Sequence, residues 1–131
     1  MALKALIADD SAFMRDIIRH YLEFFGCEVI AEAENALQAV RLCRALRPDL
    51  VTLDVVMPQV DGIDALAAFR EIRKDNPNLP IIVISAMPFD HTRQTFLAEG
   101  ALDYIVKPLT PNTFKQVYRK LKQLFPELHD V

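Results

Sequence analysis

Two kinds of hydrophobic pattern alternate along the chain. Leu3-Lys4-Ala5-Leu6-Ile7-Ala8, the segment from Glu28 to Glu32 around Val29-Ile30-Ala31, residues 49–54, Ile81-Ile82-Val83-Ile84 and Leu102 to Val106 are short and largely apolar. Runs of that length, bounded by Gly, Pro or acidic residues, read as strands covered on both faces. Between them the apolar residues fall three and four apart. One set is Met14, Ile17, Ile18, Tyr21, Leu22 and Phe25; the next is Leu37, Val40, Cys43 and Leu46. Ile63, Leu66, Phe69 and Ile72 follow, and Phe114, Val117, Leu121 and Leu124 close the series. Such spacing lays one apolar stripe along a helix. Ser11 or Asp10 can cap the first helix, Asn35 opens the second, and Thr110-Pro111 starts the last; Gly26, Pro48, Asn76-Pro77 and Gly100 are stop signals. Residues from about Asp90 to Glu99 also read as a helix, but Phe96 and Leu97 are its only large apolar residues. That helix is expected to be weakly anchored and comparatively mobile.

Five strands alternating with five helices predict an α/β fold, a doubly wound parallel five-stranded sheet with right-handed crossovers and helices on both faces. No linker, repeat or low-complexity stretch interrupts the alternation. Residues 1–131 are therefore expected to form a single domain, with a short tail from Phe125 onward free to fray.

Composition narrows the class further. No run approaches a membrane span, and the N-terminus leads straight into a strand instead of a signal sequence, so a cytoplasmic location without membrane contact is expected. Cys27 and Cys43 fit no metal or redox spacing and read as reduced thiols. A net charge of -3 argues against nucleic acid as a direct partner. The basic concentration Lys115, Arg119, Lys120 and Lys122 reads as the solvated face of the last helix. His20, His91 and His129 fall at no metal spacing.

The candidate chemistry lies at the strand ends. The first strand ends in Asp9-Asp10, and the third, Val51-Thr52-Leu53, in Asp54, followed by Val55-Val56-Met57-Pro58. The fourth ends in Ser85-Ala86-Met87 and the fifth in Lys107-Pro108. Open parallel sheets gather ligands at the carboxyl ends of their strands. With the first and third strands as neighbours, three carboxylates meet. At ~4 Å and an effective dielectric of ~20 each pair costs about 4 kcal/mol, so the cluster must protonate, spread apart or hold a cation. Ligands that are all oxygen point to Mg²⁺. The set suits phosphoryl transfer: one carboxylate attacks phosphorus while a hydroxyl and an ammonium hold the equatorial oxygens. Taken singly, each residue has a plainer reading. The acid pair can be a helix cap, Asp54 a strand-end acid, Ser85 a satisfied core hydroxyl, Lys107 a snorkelling surface charge and Tyr104 simple packing.

The joint spacing of the acid pair, Asp54-Val55-Val56-Met57-Pro58, Ser85-Ala86 and Lys107-Pro108 resembles the receiver domain of two-component response regulators over nearly the whole chain. Within that family, Asp10-Ser11-Ala12-Phe13-Met14-Arg15 looks most like the chemotaxis branch, of the CheY-like single-domain type. The resemblance implies a flavodoxin-like sheet with strand order 2-1-3-4-5. It makes Asp54 the phosphoacceptor, taking phosphoryl from the phosphohistidine of a sensor histidine kinase, from a phosphotransfer protein or from a small acyl phosphate. Asp10, Asp54 and the backbone carbonyl of Val56 would hold Mg²⁺, with Asp9 acting mainly through a metal-bound water. Lys107 would pair with a phosphoryl oxygen, and the bond to Pro108 is cis in the family. Ser85 is the switch hydroxyl, and the Tyr104 ring is expected to turn inward on phosphorylation. The surface of the fourth helix, fifth strand and fifth helix would then change its preference for a downstream protein or for a second copy of the chain. The implied protein is a phosphoacceptor signalling domain with self-phosphorylation and self-dephosphorylation, not a turnover enzyme.

With Mg²⁺ and Lys107 the three carboxylates sum to neutrality, and transfer leaves about one added negative charge, enough to bias a two-state element but not to refold a domain. Val56 and Met87 are apolar where many relatives carry polar residues, which suggests slowed self-dephosphorylation through poor orientation of the attacking water. Ala36 sits where relatives often have Gly. An Asp-nucleophile phosphohydrolase would need a second acid where Val56 stands, and a cap segment. A receiver fragment of a longer regulator with a DNA-binding or catalytic output domain is the other alternative; a stand-alone regulator is preferred because the chain stops soon after its fifth helix. A receiver that signals by binding alone is disfavoured because every position needed for the chemistry is filled.

Overall fold

The computed structural model describes residues 2–130. Its strands are β1 (Leu3–Ala8), β2 (Cys27–Ala33), β3 (Leu50–Leu53), β4 (Ile81–Ser85) and β5 (Asp103–Val106). The helices that connect and follow them are α1 (Ala12–Phe24), α2 (Ala36–Leu46), α3 (Ala65–Asp75), α4 (Asp90–Ala98) and α5 (Pro111–Leu124). All strand pairs are parallel and the order is β2-β1-β3-β4-β5, as the sequence pattern and the resemblance led one to expect.

The near-continuous apolar strands are explained by two cores, one on each face of the sheet. Leu6, Ala8, Val51, Leu53, Ile81 and Val83 point to one face and pack under α2, α3 and α4. Ala5, Ile7, Leu50, Ile82, Ile84 and Ile105 point to the other and pack under α1 and α5. Period-two alternation of the side chains therefore assigns strand residues to a layer, except that in β2 a register shift between Val29 and Ala31 carries Ala31 and Ala33 to the face opposite Cys27 and Val29. Ser11, Asn35, Asp64 and Thr110 cap α1, α2, α3 and α5 through side-chain oxygens. Phe89, which precedes α4, has no such side chain to offer.

Several expectations need correction. Leu46 and Leu124 belong to the apolar stripes of their helices, and the stripe of the last helix is expected inside, but they are 43% and 50% exposed. Each is the final residue of its helix, beyond the last turn that packs on the sheet. Helix α3 begins at Ala65, so Ile63 lies ahead of it in a turn bridged to Val60. Among the described residues the tail is docked instead of frayed. Leu128 is buried against the α1/α5 layer, the His129 N–H donates to Phe25 O at 2.9 Å, and the Tyr118 hydroxyl donates to His129 O. Lys122 Nζ fastens the same segment through Pro126 O (2.8 Å) and the Asp130 carboxylate (3.1 Å). Gly26, at φ +99°, lets this happen, because a Cβ there would stand 2.8 Å from the His129 ring.

Helix α4 is lightly held, as its composition suggests: Phe96 is its only fully buried residue. Its C-terminal end nevertheless has a firm tie. Arg70 on α3 grips Glu99 with two hydrogen bonds of 2.8 Å, and Phe69 meets Phe96 edge to face at 5.2 Å.

Candidate functional site

Register brings the acids together. Ala8 pairs with Leu53, so Asp9 and Asp54 leave adjacent strands side by side, and the Asp54 N–H donates to Ala8 O at 2.9 Å. Ser85 pairs with Val106 in the same way, and the Lys107 N–H donates to Ser85 O at 2.8 Å. The Lys107–Pro108 peptide bond is cis. From the edge strand, Lys107 Nζ reaches back to Asp9 Oδ2 at 2.9 Å and Asp54 Oδ2 at 3.2 Å. Carboxylate oxygens of Asp9, Asp10 and Asp54 lie within 4.8 Å of one another. Asp9 and Asp54 are buried, at 1% and 3% exposure, whereas Asp10 is open to solvent.

The hydrogen bonds leave each acid in a different condition. Asp9 Oδ1 accepts from the Ser11 N–H at 2.9 Å while its other oxygen faces Lys107. Asp54 Oδ1 accepts from the Val56 N–H at 3.1 Å. Burial pushes the Asp54 carboxyl above its usual range; the Val56 N–H and Lys107 oppose this and the charge of Asp9 adds to it. Burial alone would lower the Lys107 ammonium, but the hydrogen bond to Asp9 and the charges of Asp54 and Asp9 outweigh it and leave it raised. One ammonium thus stands against three clustered carboxylates, two of them out of water. The donor set is all oxygen, with Asp10 on the open side, which is the chemistry of a hard divalent cation site.

Ser85 is fully buried at the end of β4, where its hydroxyl accepts from the Met87 N–H at 3.3 Å. Tyr104 is also buried, and its hydroxyl donates to Met87 O at 2.6 Å. The ring was expected to turn inward only on phosphorylation; here it is inside already, lying over Phe96 with centroids 6.3 Å apart. Burial raises the phenol above its ordinary value, the Ser85 hydroxyl opposes this, and the Asp54 charge adds to it. Val56 is half exposed and Met87 partly buried, beside Asp54 and Ser85 respectively.

Two contributors are not legible as such in the sequence. The Met87 carbonyl carries no side-chain signal at all. Arg15 sits within the motif after the acid pair, yet its contact with the Asp9 carbonyl at 2.7 Å is a tertiary one. Arg15 and Arg19, four apart on α1, both converge on Glu32 of β2.

A parallel sheet with its topological switch between β1 and β3, and an acid cluster with one lysine at that switch, defines a doubly wound α/β domain built to receive a phosphate-like group. The family model described as "Response regulator receiver domain" matches residues 5–119, and the chain belongs to that family. It is a receiver, a signalling domain of two-component systems. It is 40% identical over 123 residues to "Chemotaxis protein CheY" of Thermotoga maritima, covering 94% of this chain and 100% of that one. Among solved structures, the REC domain of AraT, a response regulator from Geobacillus stearothermophilus, superposes with a TM-score of 0.84 at 32% identity, covering 97% of this chain and 98% of that one. CheY in the CheX-CheY-BeF3-Mg complex of Borrelia burgdorferi gives a TM-score of 0.82 at 28% identity, covering 94% and 89%. Among the described residues no helix is long and apolar enough to cross a membrane.

Proposed function

We propose that Asp54 is the phosphoacceptor and that residues 1–131 act as one receiver unit. The observation that carries this reading is the single ammonium of Lys107 bridging Asp9 and Asp54 inside the three-carboxylate cluster. An Asp54 carboxylate oxygen attacks phosphorus of a phosphohistidine or acyl phosphate. The oxygen–phosphorus bond forms as the bond to the leaving imidazole or carboxylate breaks, and the departing group takes the electron pair. Lys107 moves from its carboxylate partners to an equatorial phosphoryl oxygen, and Ser85 supplies a hydroxyl to another. Asp10, Asp54 and the Val56 carbonyl, with Asp9 through water, are the groups to hold Mg²⁺. Bound there, Mg²⁺ offsets the charge of the acids and of the incoming phosphoryl group. Before transfer, Asp9, committed to Ser11 and Lys107, holds the lysine beside Asp54.

Transfer adds charge next to Ser85, and the Ser85–Met87–Tyr104 contacts connect that point to the α4, β5 and α5 surface. Partner preference on that surface is the output, toward a downstream protein or a second copy of the chain, with a sensor histidine kinase or phosphotransfer protein as donor. The Borrelia CheY solved with CheX shows that a relative with this fold is found in a protein complex. Val56 and Met87 place apolar groups beside the path of hydrolytic water, and slow self-dephosphorylation follows. Val56→Asn combined with Met87→Glu is expected to shorten the phosphoryl lifetime; an unchanged lifetime would sink that part.

Intact-mass spectrometry after incubation with acetyl phosphate, in Mg²⁺ or in EDTA, tests the core. A single phosphoryl adduct that needs Mg²⁺ and is lost in Asp54→Asn is expected. No adduct from acetyl phosphate or from a kinase would leave a receiver that signals by binding alone.

A further inference from the structure

Asp9 is held on every side. Its N–H donates to Ala33 O at 3.0 Å, one carboxylate oxygen accepts from Ser11 and the other from Lys107. Neither the sheet nor the acid cluster holds its carbonyl, and a side chain supplies the donor. Arg15 Nη1 donates to Asp9 O at 2.7 Å, while Nε of the same guanidinium donates to Glu32 Oε1 at 2.9 Å and Nη2 stands 3.7 Å from Glu34. The Arg15 side chain is only 11% exposed. Arg19 takes the second oxygen of Glu32 at 2.5 Å, so the anion that orients Arg15 is itself fixed.

That carbonyl belongs to the peptide joining Asp9 to Asp10. Because the peptide is planar, fixing the C=O direction fixes the N–H and the Cα of Asp10, so that only φ and the side-chain torsions of Asp10 remain between the clamped plane and its carboxylate. Asp10 is the exposed acid, and no side-chain hydrogen bond of its own is present among the described contacts; its aim into the cluster therefore rests on the backbone. We propose that Arg15 is a positioning residue of the phosphorylation site, clamping the Asp9–Asp10 peptide against Glu32 so that the Asp10 carboxylate faces the cation site. The proposal rests on reading the three acids as that site. The rigid planar guanidinium fixes the angle between its donors to Asp9 O and to Glu32, a constraint that a lysine ammonium, with rotating N–H groups on a flexible stem, does not impose. The charge itself is answered by Glu32 and Glu34, so the role is geometric.

The test is Mg²⁺ titration of the whole chain by calorimetry, without any phosphodonor, alongside thermal melts and amide exchange at Asp10 and Ser11. Arg15→Met is expected to weaken Mg²⁺ binding about tenfold and speed that exchange, as loss of an outer partner of a metal ligand does. Arg15→Lys is expected to weaken binding as well, and serves should Arg15→Met not fold. Arg19→Met, which loses the Glu32 pair but leaves the Asp9 contact, is expected to bind like the wild type even where it melts earlier. Wild-type affinity in Arg15→Met or Arg15→Lys, with a lowered melting temperature only, overturns the proposal and makes Arg15 a simple link between α1 and β2. Asp10→Asn separates the two levels. If it abolishes Mg²⁺ binding while the Arg15 variants bind normally, only the Arg15 proposal fails. If it binds Mg²⁺ unchanged, the reading of the acids fails and takes the proposal with it.

Discussion

Thr52 shows how a single atom can be out of step with its surroundings. It lies on β3 between Ile7 and Ile82, two residues before Asp54, and its buried hydroxyl has no hydrogen-bond partner. An unmet buried hydroxyl costs about 1–3 kcal/mol, and valine has nearly the same shape. Thr52→Val is expected to raise stability by about 1 kcal/mol in a denaturant titration and to leave acetyl phosphate labelling intact. The two cysteines illustrate burial acting on charge. Desolvation pushes the Cys27 thiol up to about 11, with Asp49 adding to it, and Cys43 up to about 12, with Asp75 adding to it. Both should resist a thiol reagent at pH 8 in the native protein and react fully once it is unfolded. A pKa raised by folding means that their contribution to stability is whole below the thiol's ordinary value of 9.0 and is lost as pH rises toward 11 and 12. Alkaline melts should therefore fall over that window, and replacing either thiol by Ala should shrink the fall.

At the scale of elements, α4 and the C-terminal segment have opposite characters. Helix α4 lacks an N-terminal side-chain cap, buries one residue fully, and is tied at its far end by Arg70–Glu99 and Phe69–Phe96. Its N-terminal half, next to the Met87 carbonyl that receives Tyr104, is the half free to move. Hydrogen exchange should be faster for residues 90–93 than for 96–99, and Glu99→Gln should even out the difference by loosening the far end. The segment after α5 is short, yet Leu128, His129 and Lys122 lock it over the end of α1. Leu128→Ala is expected to cost about 2–4 kcal/mol in a denaturant titration, the range for a buried leucine, although such a position would ordinarily tolerate change.

Over the whole molecule, the acid cluster is held together at the expense of stability. Asp54 is buried beside Asp9, its carboxyl is raised first by burial, and a raised carboxyl contributes stability at low pH that is lost as pH rises through its folded value. At neutral pH without metal, Asp54→Asn should therefore melt higher than the wild type. Mg²⁺ should raise the melting temperature of the wild type and do so much less in that variant, since a ligand that binds the folded state stabilises it by mass action. The sequence by itself determined the alternation of apolar runs and apolar stripes, and with it the number and order of elements, the parallel sheet and the acids, serine and lysine at the strand ends. Those are local properties: strand and helix periods, caps and breakers are written within a few residues of one another. Tertiary structure alone decided that Arg15 reaches the Asp9 carbonyl, that Tyr104 lies inward on Met87, that Leu46 and Leu124 end their helices in solvent, and that the tail is docked. Each of these depends on how far one element extends past another and on backbone atoms that every residue shares. Neither quantity has a signature in side-chain identity.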